Sequence, residues 1–379
     1  MAGIYIHIPF CRQACHYCNF HFSTSRGLEN DFLESLLKEI PLQQGFLAGE
    51  SVETVYFGGG TPSLLSIENL NRILHSLREN FSIAPDAEYT LEANPDDIND
   101  TLLQQWKSAG INRLSIGIQS FFEEDLQWMN RAHTASQAID NLQLALKYFP
   151  NLTIDLIYGS PGLTDEKWYS NVQRVIGLGV PHISCYALTV EPKTALDSMI
   201  RTHKREPVNP EDQARQFLLL MDWLNAAGYE HYEISNFALP GKRSKHNSAY
   251  WEGKKYLGLG PSAHSYDGAN RQWNIANNAL YIQALKNGTV PFEQEILTLV
   301  QQLNEYIMTS LRTSEGMDLK IVELRSDAAT AAQILHESEG YLKDGLMKNE
   351  NGRLILTPRG KLFADGIAAE LFREEPEAQ

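Results

Sequence analysis

Short runs of β-branched and aromatic residues alternate with longer amphipathic stretches from the N-terminus to about residue 240. The predicted strands are GIYIHIPF, TVYFGG, AEYTLEAN, RLSIGIQSF, LTIDLIYG and HISCYALTV, and helical periodicity follows in stretches such as DFLESLLKEI and LNRILHSLRE. Because parallel strands need such crossover connections, the pattern predicts an α/β fold with a parallel sheet. It leaves open whether that sheet is flat or curved into a barrel. In both cases the loops that follow the strands are expected to carry the chemistry.

The pattern changes after residue 240, which suggests three regions: 1–240, a connecting region 241–290, and 291–379. The last region is predicted to be mainly helical, with EQEILTLVQQLNEYIMTSLR as its clearest helix. Asn351-Gly352 predicts a hairpin turn, a helix is expected near Pro358, and residues 373–379 are expected to fray. This combination is typical of a winged-helix-like module. It holds nine Lys and Arg against sixteen Asp and Glu, so a structural or protein-contact role is favoured over DNA binding.

Composition narrows the function classes. The chain has 379 residues, of which 43% are hydrophobic and 21% charged, the balance of a globular protein with a sizeable core. No stretch approaches the roughly 20 apolar residues of a helical membrane span, and the N-terminus lacks the basic flank of a signal peptide, so we expect a cytoplasmic location. The net charge of -15 argues against nucleic acid as a partner.

Three of the four cysteines, Cys11, Cys15 and Cys18, lie within eight residues. In a chain of this size the spacing CxxxCxxC indicates thiolate ligands for a soft metal rather than a disulfide framework. A [4Fe-4S] cluster has four irons that each need an outer ligand, so three cysteines would leave one iron open. The alternative is a zinc site completed by His16 or His21. Cys185, on a predicted strand, needs no metal, because a buried cysteine packs as a small apolar residue.

CxxxCxxC after a first strand, with the aromatic Phe20 two positions later, resembles the radical-SAM superfamily. The segments YIHIPFC, GGGTPS, IQSF, NRAH, DLIYGSPG and YEISNFA are similar to its branch of oxygen-independent coproporphyrinogen III oxidase, over nearly the whole chain. The resemblance implies an incomplete (β/α)6 TIM-like barrel with a [4Fe-4S] cluster on the three cysteines and S-adenosylmethionine (SAM) on the open iron. It also implies SAM contacts from nine residues, which are Tyr5, Gly59, Gly60, Thr61, Glu92, Gln119, Arg131, Asp155 and Ala187. Two of these have a physical rationale: a carboxylate suits ribose hydroxyls at Glu92, and a guanidinium suits a carboxylate at Arg131.

Two departures separate this sequence from the oxidase. Phe20 stands where the oxidase pattern has a further cysteine, and the oxidase carries an extension ahead of its first strand that this sequence lacks.

The segment KHNSAYW instead resembles the HNxxYW motif of the heme chaperones in this branch, through His246, Asn247, Tyr250 and Trp251. On the residues alone, a hydrogen-bonded packing cluster is the favoured interpretation of this segment. The family resemblance favours heme, with His246 as its ligand, because imidazole is a common axial ligand and aromatic rings offer flat apolar surface. We expect the following segment, YLGLGPSAHSYDG, to be a loop lining the same cavity, with His264 as second choice, and His7 to be a satisfied strand residue.

The expected function is therefore that of a heme carrier. Its partners would be heme and a heme-acceptor protein, with membrane-associated respiratory enzymes as candidate acceptors. The alternative is a radical-SAM oxidase that decarboxylates the propionates of coproporphyrinogen III.

Overall fold

Six parallel strands lie side by side in chain order, as the hydrophobic pattern predicts. The computed structural model describes residues 2–375. The strands are β1 (Ala2–Ile8), β2 (Val52–Gly59), β3 (Ile83–Ala93), β4 (Arg113–Gln119), β5 (Leu152–Tyr158) and β6 (His182–Ala187). Every neighbouring pair is parallel, so the carboxyl ends of all six strands meet at one rim.

Amphipathic helices connect these strands and cover the outer face of the sheet. They are α1 (Glu29–Leu42), α2 (Ile67–Asn80), α3 (Asp100–Ala109), α4 (Glu123–Trp128), α5 (Ala135–Tyr148) and α6 (Asp165–Gly177), with α7 (Ala195–Arg201) and α8 (Pro210–Ala226) after β6. Several begin at a polar side chain that accepts a hydrogen bond from the first turn, including Ser66, Asn99, Thr134 and Thr164. These caps fix where those helices begin after the preceding strand or loop.

The sheet curves but does not close, so the predicted incomplete barrel is confirmed. Strand β6 pairs with an antiparallel strand instead of returning to β1. The remaining elements of this sheet region are β7 (Glu230–Glu233), β8 (Asn236–Ala238), α9 (Lys245–Trp251), β9 (Lys255–Leu259), β10 (His264–Tyr266), β11 (Asn270–Asn274), α10 (Asn278–Lys286) and β12 (Phe292–Ile296). The strand order is β12-β11-β10-β9-β1-β2-β3-β4-β5-β6-β8-β7, with β9 parallel to β1. Residues 241–290 thus add three strands to the main sheet.

Two secondary-structure predictions are wrong in this region. The expected loop over YLGLGPSAHSYDG contains β9 and β10, which pair with each other and extend the sheet. The expected helix does not begin at residue 293, because Phe292–Ile296 pairs with β11. The helix starts only after Thr298, whose side chain forms a reciprocal capping box with Gln301.

The two faces of the curved sheet differ in polarity. The outward side chains of β1, Ile4, Ile6 and Ile8, are almost fully buried against the helices. The concave face carries polar side chains such as Glu92 and Asp155, which line a cavity open at the carboxyl ends of the strands. Because side chains alternate along a strand, one sequence run supplies both the core and the site.

The C-terminal region is a smaller unit with its own core. Its elements are α11 (Leu299–Leu311), β13 (Met317–Asp318), α12 (Leu319–Arg325), α13 (Ala328–Glu337), α14 (Glu339–Lys343), β14 (Met347–Glu350), β15 (Arg353–Leu356) and α15 (Ala364–Glu370). Its sheet has the order β13-β15-β14, and residues such as Leu303, Ile307 and Leu354 form a separate apolar cluster. None of the helices within residues 2–375 is both long and apolar enough to cross a lipid bilayer.

The hairpin turn predicted at Asn351-Gly352 is confirmed. Both residues have positive φ, 56° and 86°, as a two-residue turn between twisted strands requires. The helix expected near Pro358 begins at Ala364, after a short 3-10 turn. The start of the expected frayed tail is bound, since the Arg373 N–H donates to Asn304 Oδ1 at 2.7 Å. Residues 376–379 of that expectation lie outside the described residues.

Candidate functional site

The three clustered cysteines lie in the loop after β1, at the rim where the strands end. The loop is fixed by contacts with distant segments, for example from the His16 N–H to the Met129 carbonyl at 3.1 Å. Cys11, Cys15 and Cys18 are each partly exposed and line one cavity of about 420 Å³. The fold therefore brings all three thiols to a common space above the barrel interior.

Polar side chains donate hydrogen bonds to two of these sulfur atoms. The Thr61 hydroxyl donates to Cys11 Sγ at 3.4 Å, and Arg131 Nη1 donates to Cys15 Sγ at 3.3 Å. Burial raises the pKa of Cys11, and burial together with repulsion from Cys15 raises the pKa of Cys18 to about 11. Such thiols lose their protons when they ligate a metal, and hydrogen bonds to sulfur tune an iron–sulfur cluster. Three thiols with these donors fit a cluster that the protein ligates three times.

The histidines of the zinc alternative are engaged elsewhere. His16 Nδ1 donates to the Trp128 carbonyl at 3.0 Å, and His21 Nε2 donates to Asn278 Oδ1 at 2.7 Å. Among residues 2–375, no three His, Cys, Asp or Glu side chains are arranged to hold a single metal ion. Neither His16 nor His21 lines the cavity that the three cysteines share, so the structure does not favour the zinc alternative.

The glycine-rich loop after β2 packs directly against the cysteine loop. The N–H groups of Gly60 and Thr61 donate to the carbonyls of Ile8 and Phe10, both at 2.8 Å. A Cβ on Gly60 would lie 2.7 Å from the Phe10 oxygen and 2.8 Å from the Ile8 oxygen. Gly59, Gly60 and Thr61 also line the cavity. The missing side chains thus allow close approach of backbone to backbone.

Two carboxyl groups face the cavity from β3 and β5. Desolvation raises the pKa of Glu92 to about 8, and repulsion from Asp155 adds to it, while the Tyr56 hydroxyl donates to Glu92 Oε1 at 2.8 Å. Desolvation raises the pKa of Asp155 to about 6 despite a hydrogen bond from Ser184. Glu92 is therefore mostly protonated near neutral pH, and a neutral carboxyl can both donate and accept, which suits vicinal hydroxyls.

Arg131 joins the cysteine loop to the strand ends. Besides Cys15, its guanidinium donates through Nη2 to Asn94 Oδ1 at 2.6 Å and to the Gly117 carbonyl at 2.8 Å. The Asn94 amide in turn donates to Thr61 Oγ1 at 3.3 Å. Asn94 was not predicted from the sequence as a site residue. It stands two positions after Glu92, directly after the end of β3, and the alternation along that strand was the available signal.

The remaining predicted SAM residues are divided between the cavity and its back wall. Gln119 and Ala187 line the cavity, and Gln119 has a left-handed φ of 67° at an irregularity of β4. Tyr5 lies behind the wall: its hydroxyl donates to His7 Nδ1 at 3.2 Å, and its ring packs on Tyr56 with centroids 6.1 Å apart. Tyr5 therefore supports the wall.

Arg113 is a second residue that sequence reasoning missed. It is fully buried at the cavity floor, with Nε 3.8 Å from Glu88 Oε2. Within residues 2–375 its guanidinium nitrogens have no hydrogen-bond partner. A charged residue that opens a buried strand was the signal, since such a side chain must face a polar interior.

The HNxxYW segment forms the short helix α9, which lines a second and larger cavity. Asn247, Tyr250 and Trp251 face this space of about 980 Å³, together with residues of the C-terminal unit. Tyr186 and Asn247 line both cavities, so the two adjoin. The structure thus places three of the four motif residues next to the cysteine site.

The fourth motif residue, His246, points into the sheet. Its side chain is 3% exposed and stacks on Tyr56 at 4.8 Å, with Tyr250 edge-on at 5.1 Å. His246 Nδ1 bonds Thr54 Oγ1 at 2.8 Å, while Nε2 has no partner among the described residues. Burial lowers its pKa to about 3, so the ring is neutral. A neutral imidazole with one nitrogen hydrogen-bonded and the other free is suited to bind a metal. In this conformation, however, the His246 ring does not reach the cavity.

The other two histidines can be assigned from their contacts. His264, expected in a cavity-lining loop, is exposed on β10, stacks on Trp273 at 6.2 Å and does not line the cavity. The prediction for His7 agrees with its geometry, because both ring nitrogens are bonded, one of them donating to the His21 carbonyl at 2.8 Å. His264 is therefore poorly placed to ligate heme here.

Comparison with known proteins adds family information to this geometry. The profile of the Radical SAM superfamily matches residues 5–175, and that of the HemN C-terminal domain matches residues 297–363. The chain is 36% identical to the heme chaperone HemW of Mycobacterium tuberculosis, over 98% of this chain and 94% of that protein. It is 37% identical to the heme chaperone HemW of Synechocystis, over 97% and 95%. The structure of Escherichia coli coproporphyrinogen III oxidase (HemN), a radical SAM enzyme, superposes with a TM-score of 0.84 at 26% identity, over 98% and 90%.

Proposed function

Because the chain belongs to the radical SAM superfamily, and within it to the family of the heme chaperone HemW, we propose that it binds heme and passes it to an acceptor protein. The observation that carries this proposal is the position of α9. The motif residues Asn247 and Trp251 line a cavity of about 980 Å³ that adjoins the cysteine site. That volume lies near the upper end for small-molecule sites, as a tetrapyrrole requires.

The cysteine cavity is proposed to hold a [4Fe-4S] cluster on Cys11, Cys15 and Cys18, with SAM on the open iron. Its walls support this proposal through hydrogen-bond donors at two sulfurs and two carboxyl groups able to bond hydroxyls. The proposed SAM contacts remain Gly59, Gly60, Thr61, Glu92, Gln119, Arg131, Asp155 and Ala187, with Tyr5 as support. The chemistry available at such a site is electron transfer to a ligand on the open iron.

His246 remains the proposed axial ligand of heme. Its free Nε2 supports that role, but its ring is enclosed by Tyr56 and Tyr250, so ligation requires one of these rings to move aside. The expected acceptors are heme proteins, including membrane-associated respiratory enzymes.

The test is an anaerobic heme titration of the cluster-reconstituted protein, followed by absorbance. His246→Ala should weaken heme binding by about tenfold or more and change the heme spectrum, as loss of a metal ligand does. His264→Ala is the matched control, because that imidazole is exposed and outside the cavity. If both variants bind heme like the wild type, His246 is not the ligand; if the wild type binds no heme, the proposed function fails.

The second candidate function is decarboxylation of coproporphyrinogen III, favoured by the close superposition on the oxidase. Phe20 argues against it, since it replaces the further cysteine of the oxidase pattern and lines the cavity with 67% of its surface exposed. Incubation with reductant, SAM and coproporphyrinogen III separates the two functions. Formation of vinyl product over many turnovers would establish the enzyme and refute the carrier.

A further inference from the structure

The walls of the larger cavity carry an unusual set of stacked arginines. Four guanidinium groups lie over aromatic rings there, at 4.9 to 5.5 Å from the ring centroids. The pairs are Arg243 on Tyr232, Arg271 on Tyr266, Arg312 on Trp251 and Arg325 on Tyr306. Such pairs occur roughly once per 70–80 residues, so four around one cavity are a local concentration.

Both structural units contribute to these walls. Tyr250 and Trp251 come from α9 and Tyr266 from β10, while Tyr306 comes from α11 and Arg325 ends α12. Among the described residues that line the cavity there is no histidine and no cysteine. In this conformation the cavity therefore offers flat aromatic rings and guanidinium groups, and a bond from His246 to iron would first require Tyr56 or Tyr250 to move aside.

Three of the four stacked arginines already have carboxylate partners. Arg243 pairs with Glu315 at 2.7 Å, Arg312 pairs with Glu233 at 3.3 Å, and Arg271 pairs with Glu305. In each pair the carboxylate neutralises the charge of the guanidinium, which leaves little electrostatic attraction for a further anion.

Arg325 differs from the other three. Within residues 2–375 no carboxylate lies within ion-pair distance of it, and its one hydrogen bond is from Nη1 to the Gln302 carbonyl at 3.4 Å. Its side chain is exposed at the cavity, and stacking on Tyr306 at 4.9 Å orients the planar guanidinium. A planar, pre-oriented guanidinium without a carboxylate partner is suited to two parallel hydrogen bonds with a carboxylate.

We propose that this cavity is the cargo site, where the aromatic walls bind the macrocycle of a tetrapyrrole and Arg325 binds one of its carboxylates. The proposal rests on the proposed function and adds the place and the orientation of the ligand. It also gives the C-terminal unit a role, since that unit supplies the carboxylate anchor.

The test compares three ligands with the full-length protein: hemin, metal-free protoporphyrin IX, and the dimethyl ester of that porphyrin. Arg325→Gln should weaken binding of the two free acids by about fivefold to tenfold and leave the ester unchanged, since only the acids offer a carboxylate. Arg325→Lys should recover part of the lost affinity, because lysine keeps the positive charge but cannot form the two parallel hydrogen bonds of a guanidinium. Arg215→Gln, which removes an exposed arginine paired with Asp165 on the outer helices, is the matched control.

The outcomes separate this proposal from the proposed function. If the wild type binds porphyrins and Arg325→Gln binds all three ligands like the control, the cargo-site assignment is overturned and the carrier function stands. An equal loss for acid and ester overturns the carboxylate anchor. If the wild type binds none of the ligands, both proposals fail.

Discussion

Gly60 provides a sharp test of how the cysteine loop is held. Its φ is not positive, so alanine is allowed by the backbone and the effect of Gly60→Ala is steric. The new Cβ would lie 2.7, 2.8 and 2.9 Å from the oxygen of Phe10, the oxygen of Ile8 and the nitrogen of Phe10. These are backbone atoms that cannot rotate away, so residues 8–11 or the glycine loop must move.

The cost of this substitution can be worked from the same contacts. Overpacking of this kind costs about 1–3 kcal/mol, and each of the two backbone hydrogen bonds from Gly60 and Thr61 contributes about 1 kcal/mol. If the loop moves to relieve about 2 kcal/mol of this strain, it must return to its original position to bind the cluster. That return costs the same free energy and corresponds to roughly thirtyfold weaker binding of the cluster.

The assay is anaerobic reconstitution with iron and sulfide, followed by desalting, iron analysis and visible absorbance. Gly45→Ala is the matched control, because its Cβ would meet nothing within 4 Å and its φ is not positive. We expect Gly60→Ala to lose most of its iron and Gly45→Ala to keep it. Equal iron content and equal melting temperature in both variants would refute this account of the loop.

Three further predictions concern other parts of the chain. Cys15→Ala should lose the visible iron absorption, whereas Cys185→Ala, which changes a buried core thiol, should keep it; full iron loading of the first variant would contradict the ligand set. Asn94→Ala removes an acceptor of Arg131, so SAM binding measured by calorimetry should fall several-fold at unchanged iron content; an equal loss of iron would make its role structural. Burial, with the Lys361 ammonium 3.0 Å away, lowers the pKa of His231 to about 3, while the unfolded value is about 6.5. The unfolded chain therefore binds the extra proton as the pH falls below 6.5, and this site should cost about 2 kcal/mol of stability between pH 7.5 and 5. His231→Gln should flatten the drop in melting temperature over that range; an unchanged drop would show that His231 does not cause it.

The strands that carry the cysteine site could be predicted because their signal is local. Each has a run of apolar residues followed by an amphipathic helix, and parallel pairing in chain order places the strand ends together. The family resemblance then predicted Glu92 and Arg131 as ligand contacts, and both line the cavity. Asn94 and Arg113 were missed because their role depends on which polar side chains face the barrel interior, a contact between strands.

The sheet extension after residue 240 could not be predicted for a different reason. Its strands are short, and β9 pairs with β1, about 250 residues away in the chain. Strand β12 is exposed along its whole length, so it carries no alternation of buried and exposed residues. Its conformation follows from pairing with β11, which outweighs the helical pattern of the residues that follow.

The HNxxYW motif identified the residues of the second cavity but not their directions. Residues four apart share a helix face, so His246 lies with Tyr250, and Asn247 lies with Trp251. If α9 is predicted as a helix, the sequence places the imidazole of His246 on a different helix face from the amide of Asn247 and the indole of Trp251. The structure agrees in part, since His246 packs into the sheet while Asn247 and Trp251 line the cavity, but Tyr250, four residues after His246, lines it too.

The way in which the two units are joined bears on how a carrier could release its ligand. Arg312 is held by Glu233 of the main sheet and stacks on Trp251, so the inner wall of the cavity is fixed by charge pairs and ring contacts. Arg325 stacks on Tyr306 but is exposed and has no carboxylate partner within residues 2–375. A carboxylate bound there can exchange its contacts for those of a cation on an acceptor protein, without breaking the pairs that join the units. If the chain transfers heme as proposed, transfer would begin at Arg325, and the acceptor surface would present Lys or Arg to the ligand carboxylate bound there.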